Sequence, residues 1–254
     1  MTMNKEQILL HTYIKQAAKR YIDFMEIEKL PQFGIVEKVI SLSSVDKRGF
    51  GSYATHHYDI LTGTHTLIVW PGICQLHAEY LLFHEFTHIL DTDMYVQKDK
   101  MKNAMYKGFS EYHAGQIDFL KVLGVKKIDP SISFSMNQIV DTVENTKAAE
   151  EYVIKSHDVS TNLINRSDFP ADVETLAITV GLIFNYWGRR SICKMYAVDY
   201  VESVDNTAIE KFIGKDLFRA LDTFMNGWLE EEQIKIIADF YFKMMVSKTK
   251  EYSL

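Results

Sequence analysis

The stretch LLFHEFTHILD, Leu81 to Asp91, constrains this chain more than any other. Leu81, Leu82, Phe83, Phe86, Ile89 and Leu90 fall on nearly every side of a helix, and a helix that is apolar all round has to be buried. Yet the same turns carry His84, Glu85 and His88. Burying two imidazoles and a carboxylate without partners is costly. The fold must therefore satisfy them, either as core histidines beside a surface glutamate or as the donors of a metal site.

Spacing favours the metal. On a helix His84 and His88 lie on one face, about 6 Å apart along the axis. Their rings can close on one ion with little strain, and two histidines one turn apart fit half of a tetrahedral zinc site. Glu85 points to a neighbouring face, within reach of a water at that ion. This is the H-E-x-x-H arrangement, in which the glutamate serves as general base. A catalytic site needs a third protein ligand and an open position. KGFSEYHAGQIDFL offers Glu111, on a helical stripe with Ala104, Gly108 and Gly115. A stripe that small predicts close packing against the His84 helix, with Glu111 reaching across. Asp91 is the rival third ligand, although three ligands from one straight helix strain the geometry. It fits better as an acceptor for the second ring N–H of a ligand histidine. His113 and His77 are expected to be structural or exposed.

The rest of the chain frames that helix. Ile8, Leu9, Tyr13, Ile14, Ala17, Tyr21 and Phe24 predict a helix from Lys5 to about Glu28. GIVEKVISLSS, GFGSYATHHYD and THTLIVW read as strands, separated by VDKRG and ILTG turns. One helix is expected over Ile73–Asp91, another from Asn103 to Leu123 stopped by Gly124, and only helices after Pro130. Phe240, Phe242, Met244 and Met245 of the last helix are expected in the core. The fold class is α+β: an N-terminal helix and small sheet packed on the buried histidine helix, then a mostly helical C-terminal half. The division expected is 1–128 and 129–254, or one continuous domain.

Composition excludes some functions. A net charge of −6 argues against a nucleic-acid binder built on a basic face. Two cysteines, Cys74 and Cys193, make no disulfide framework and read as reduced thiols. The N-terminus lacks the apolar core of a signal peptide. LAITVGLIF is about half the length that spans a bilayer. The expectation is a soluble, cytoplasmic protein with no membrane partner.

HEFTH at 84–88 followed by FSEYHA at 109–114 resembles a gluzincin, the metallopeptidase class with an H-E-x-x-H helix and a glutamate on the next helix. The layout from Lys5 to Gly124 is similar to the small peptidases of phages and integrative elements, the ImmA/IrrE-like group. The resemblance implies Zn2+ on His84, His88 and Glu111, Glu85 as catalytic base, and a protein or peptide substrate. It also implies that the strand THTLIVW borders the cleft and pairs with an extended substrate; an ordinary internal strand is the alternative. Many gluzincins have an aspartate four after the ligand glutamate. Here that residue is Gly115, so Asp91 is expected to supply the support instead. His157, Tyr152 and Tyr112 are candidate oxyanion stabilisers. The C-terminal half is expected to recognise substrate rather than take part in chemistry. Two other readings stay open: a zinc-clamped helical binding module, and a metal-dependent hydrolase of a non-peptide bond.

Overall fold

The structure, a computed structural model, describes residues 5–38, 53–76, 78–143 and 145–254. It is α+β, with a small sheet and a mostly helical C-terminal half. Helix α1 spans Lys5–Met25 and buries Leu10, Ile14, Ala17, Tyr21 and Phe24; Ile8 and Leu9 stay exposed. Three strands follow, β1 Phe33–Glu37, β2 Ala54–Asp59 and β3 Thr64–Val69, in the order β1-β3-β2. The VDKRG turn, the flanking parts of the first two expected strands and His77 lie outside the described residues.

β3 is the internal strand, parallel to β1 and antiparallel to β2. Both of its sides are already paired, so it offers no edge to a substrate. Among the described residues, the outer strand beside the histidine helix is β2.

The helix expected over Ile73–Asp91 is broken. Pro71–Gln75 forms a 3-10 turn that ends at Leu76 in extended backbone, and α2 begins at Glu79 and runs to Asp91. Trp70 folds back over Gly72, where a β-carbon would sit 2.1 Å from the indole ring. That contact fixes a tight turn which helical periodicity cannot register. Glu79 then ties the start of α2 to its neighbours through ion pairs with Arg20 and Lys121.

α2 is buried on every side but one. Leu82, Phe83, Phe86, Thr87, Ile89 and Leu90 are buried, while Leu81, His84, Glu85 and His88 are half-buried at helical spacing along one strip. The closed side packs on α1: the Tyr21 ring meets Phe83 and Phe86 edge-on, and its hydroxyl donates to Thr87 Oγ1 at 3.1 Å. Thr92–Val96 continues α2 as one wider π turn.

The second expected helix is two: α3 Lys100–Met105 and α4 Lys107–Val122, parted at Tyr106. Gly124 ends α4 with φ +80°, a conformation that a side chain would disfavour. After Pro130 the chain is not wholly helical. β4 (Ile139–Asp141) and β5 (Thr146–Ala148) form a hairpin, with Val140 buried between exposed Ile139 and Asp141. That period-two alternation is too short to compete with the helical pattern around it.

The remaining helices are α5 Ala149–Ile164, α6 Val173–Tyr196, α7 Thr207–Ile213, α8 Lys215–Phe224 and α9 Glu231–Glu251. Asp172 caps α6 and a Glu230–Gln233 capping box starts α9. On α9, Met244 is buried and Phe240 and Met245 pack partly against the core, but Phe242 does not join it.

α4 and α6 form the tightest seam. A β-carbon on Gly188 would lie 2.0 Å from the Tyr112 carbonyl oxygen, and one on Gly115 would lie 2.7 Å from the Asn185 carbonyl oxygen. α4 packs against α2 as expected, while the glycines of its small stripe also admit the α6 backbone and, at Gly108, the Tyr241 ring of α9. Cys74 and Cys193 are both free thiols. No helix among the described residues is long and apolar enough to cross a membrane.

Candidate metal centre

The open strip of α2 faces Glu111 of α4. His84 Nε2 lies 3.6 Å from Glu111 Oε2, and His88 Nε2 lies 3.7 Å from Glu111 Oε1. The two imidazoles meet edge to face with centroids 4.7 Å apart. Together the three residues form a group that could hold a metal ion, with donor atoms all within 4.8 Å of one another. Ligand atoms of a tetrahedral zinc site stand about 3.3 Å apart, as bonds of about 2.0–2.1 Å require. The two histidine–carboxylate distances exceed that spacing by a few tenths of an ångström.

Each donor is aimed from behind. His84 Nδ1 is 3.0 Å from Asp118 Oδ2, and His88 Nδ1 is 2.7 Å from Ser110 Oγ. With Nδ1 engaged, Nε2 is the nitrogen left for the centre. Asn185 Nδ2 donates to Glu111 Oε2 at 3.0 Å. Asp118 is itself gripped by the Arg189 fork, with Nε to Oδ1 at 3.1 Å and Nη2 to Oδ2 at 2.8 Å. Arg189 lies over the Tyr152 ring at 4.4 Å and donates to Ser156 Oγ. A line of charge therefore runs from α6 through α4 to α2.

Asn185 and Arg189 belong to α6, so the C-terminal half helps to hold the donors. It supplies no metal donor itself among the described residues. Asp91 is not the expected support: its Oδ1 pairs with His113 Nδ1 at 2.9 Å. Gly115 cannot be an aspartate here, because the Asn185 backbone fills the space. Asp118, two turns beyond Glu111, supports His84 instead.

The protonation pattern follows from these contacts. Burial disfavours the His84 cation, but the bonds to Asp118 and Glu111 outweigh it and raise the pKa to about 10. Burial holds His88 down at about 4. Burial also works against the Glu111 carboxylate, yet the His88 and His84 charges and the Asn185 amide bring it to about 2. The three groups thus hold one proton between negative partners, and a bound cation would take that proton's place.

Glu85 stands apart from the donor set. Its Oε2 accepts the His56 backbone N–H of β2 at 2.6 Å. Burial raises its pKa to about 7, against the pull of the His84 charge and the His56 amide. A carboxylate that titrates near neutrality is suited to taking and returning a proton.

A cavity of ≈ 430 Å³ reaches the centre at His88 and Glu111. One wall is His56, His57 and Tyr58 of β2; another is Ala177, Ile178 and Gly181 of α6; Tyr241 comes from α9. The Tyr241 ring is clamped between Gly108 and Phe184, and its pKa is pushed up by burial and the Glu111 charge.

None of the expected oxyanion candidates lines this cavity. Tyr152 lies under Arg189, His157 is held by Asp158 and the Asp205 carbonyl, and Tyr112 is buried in the α4–α6 seam. Sequence reasoning missed Asp118, Asn185, Arg189 and Tyr241. Only the acidic Asp118, on the same helix as Glu111, left a usable signal. The chain matches no protein-family description, no curated protein and no solved structure.

Proposed function

We propose that this chain is a zinc-dependent metallopeptidase of the gluzincin type, with His84 Nε2, His88 Nε2 and the Glu111 carboxylate as zinc ligands and Glu85 as general base. The observation that carries the reading is the convergence of the two Nε2 atoms on the two Glu111 oxygens beside a separate carboxylate titrating near 7. Two imidazoles and one carboxylate suit zinc, and three protein donors leave a position open. Zinc, when bound, polarises the scissile carbonyl and lowers the pKa of water to about 7.

The chain's own residues do the rest. Glu85 Oε1, the oxygen that His56 does not engage, takes the proton of the attacking water and hands it to the leaving amine nitrogen. The His56 amide holds the carboxylate in place for both transfers. The hydroxyl of Tyr241, which lines the cavity with Glu111, donates to the oxygen on which negative charge develops. A peptide lies in the cavity between β2 and α6.

A structural zinc clamp fits less well. Structural sites are closed by four protein ligands. Among the described residues three donors converge, and the cavity opens beside them.

The test is cleavage of a broad peptide library followed by mass spectrometry. The zinc-loaded chain should cut peptide bonds, removal of the metal by a chelator should abolish cutting, and one equivalent of zinc should restore it. Cleavage that persists after the metal is removed would overturn the reading.

A further inference from the structure

One charged group in the cavity has no partner that the centre explains. Lys107, Gly108 and Glu111 share the face of α4 turned to the cavity, with Lys107 one helical turn before Glu111. Lys107 is the only lysine or arginine among the described residues lining it. The cavity's acids are engaged elsewhere: Glu111 by His84, His88 and Asn185, and Asp91 by His113. Lys107 is exposed and forms no ion pair among the described residues. Ala177, Ile178 and Gly181 of α6 line the same cavity. A β-carbon on Gly181 would meet Glu111 Cδ at 3.4 Å, contact distance, so a glycine there is what lets α6 pass beside the carboxylate.

We propose that Lys107 determines specificity by pairing with a carboxylate of the substrate, either an acidic side chain or the chain's own C-terminus, close to the bond cleaved. The inference rests on the peptidase reading. One helical turn is about 5.4 Å, and an extended peptide advances about 3.3 Å per residue. With the reach of a lysine side chain, the partner carboxylate falls about one to three residues from the scissile bond. An ammonium is a mobile point charge, so it accepts either source of carboxylate.

The test uses the full chain carrying Glu85→Gln and loaded with zinc, with binding read by fluorescence anisotropy. The probes are labelled neutral decapeptides with a single Glu, or the matching Gln, scanned through each position. Each is made with a free and with an amidated C-terminus. Carboxylate peptides should bind tighter than their amide counterparts by about 1.4- to five-fold, the range of an exposed ion pair, and less so at high salt. A preference for internal Glu identifies a side chain, and one for the free terminus identifies the C-terminal carboxylate.

Adding Lys107→Gln should abolish the preference and Lys107→Glu should transfer it to Lys-containing peptides, with zinc content equal to the parent's as the measure of an intact fold. Equal binding of acid and amide peptides, no binding at all, or a preference that survives Lys107→Gln overturns the proposal. Cleavage by the parent chain is scored separately. A Lys107-dependent preference without any cleavage overturns the peptidase reading and leaves the carboxylate subsite standing. Cleavage without that preference does the reverse.

Discussion

Glu85→Gln should lower peptide hydrolysis by about 100- to 10,000-fold, the usual worth of a positioned general base, while zinc content stays at the parent level. The amide keeps the size of the side chain, and its oxygen can still accept the His56 N–H that holds Oε2 at 2.6 Å. What it loses is the ability to take a proton. Burial already strains the carboxylate, as its pKa of about 7 records, so removing the charge should not weaken the fold. Zinc content and cleavage must be measured on the same preparation. Equal cleavage by variant and parent would remove Glu85 from the mechanism, and loss of zinc would make it a ligand.

Tyr241→Phe should lower kcat by about 100- to 1,000-fold, as removal of one donor to a developing oxyanion does elsewhere. The phenylalanine keeps the ring in the space that Gly108 leaves and edge-on to Phe184 at 5.4 Å, so folding and zinc content should match the parent. The hydroxyl is the atom lost. A donor that acts only as charge develops moves kcat more than KM, which separates this role from simple substrate binding. An unchanged kcat would leave Tyr241 as packing for the α4–α9 contact and nothing more.

What the sequence made legible was local. His84 and His88 share a helix face because four residues is close to one turn, and no tertiary knowledge is needed to see it. Glu111 was reached by a sound pattern: α4 packs against α2 and Glu111 reaches across, although Gly108 and Gly115 themselves admit Tyr241 and the Asn185 backbone. The parts that orient the donors were hidden by distance along the chain. Asn185 is 74 residues from Glu111, and Arg189 is 71 from Asp118. Polar residues on a long apolar helix such as α6 carry no mark of the partner they will meet.

Asp91 misled for a related reason. It has the right spacing from His88, but His113 claims its carboxylate from the neighbouring helix. The role of His56 could not have been read from its side chain, because the group that touches Glu85 is its backbone amide. Strand order is equally silent in sequence. THTLIVW looks the same whether it is an edge or, as here, the middle of the sheet.

The central claim is a three-ligand zinc centre, and the most direct measurement is elemental analysis joined to X-ray absorption on protein purified without added metal. The account predicts close to one zinc per chain, bound by two imidazole nitrogens and a carboxylate, and loss of that zinc in the double variant His84→Ala/His88→Ala. A full equivalent of zinc retained by the double variant would contradict it.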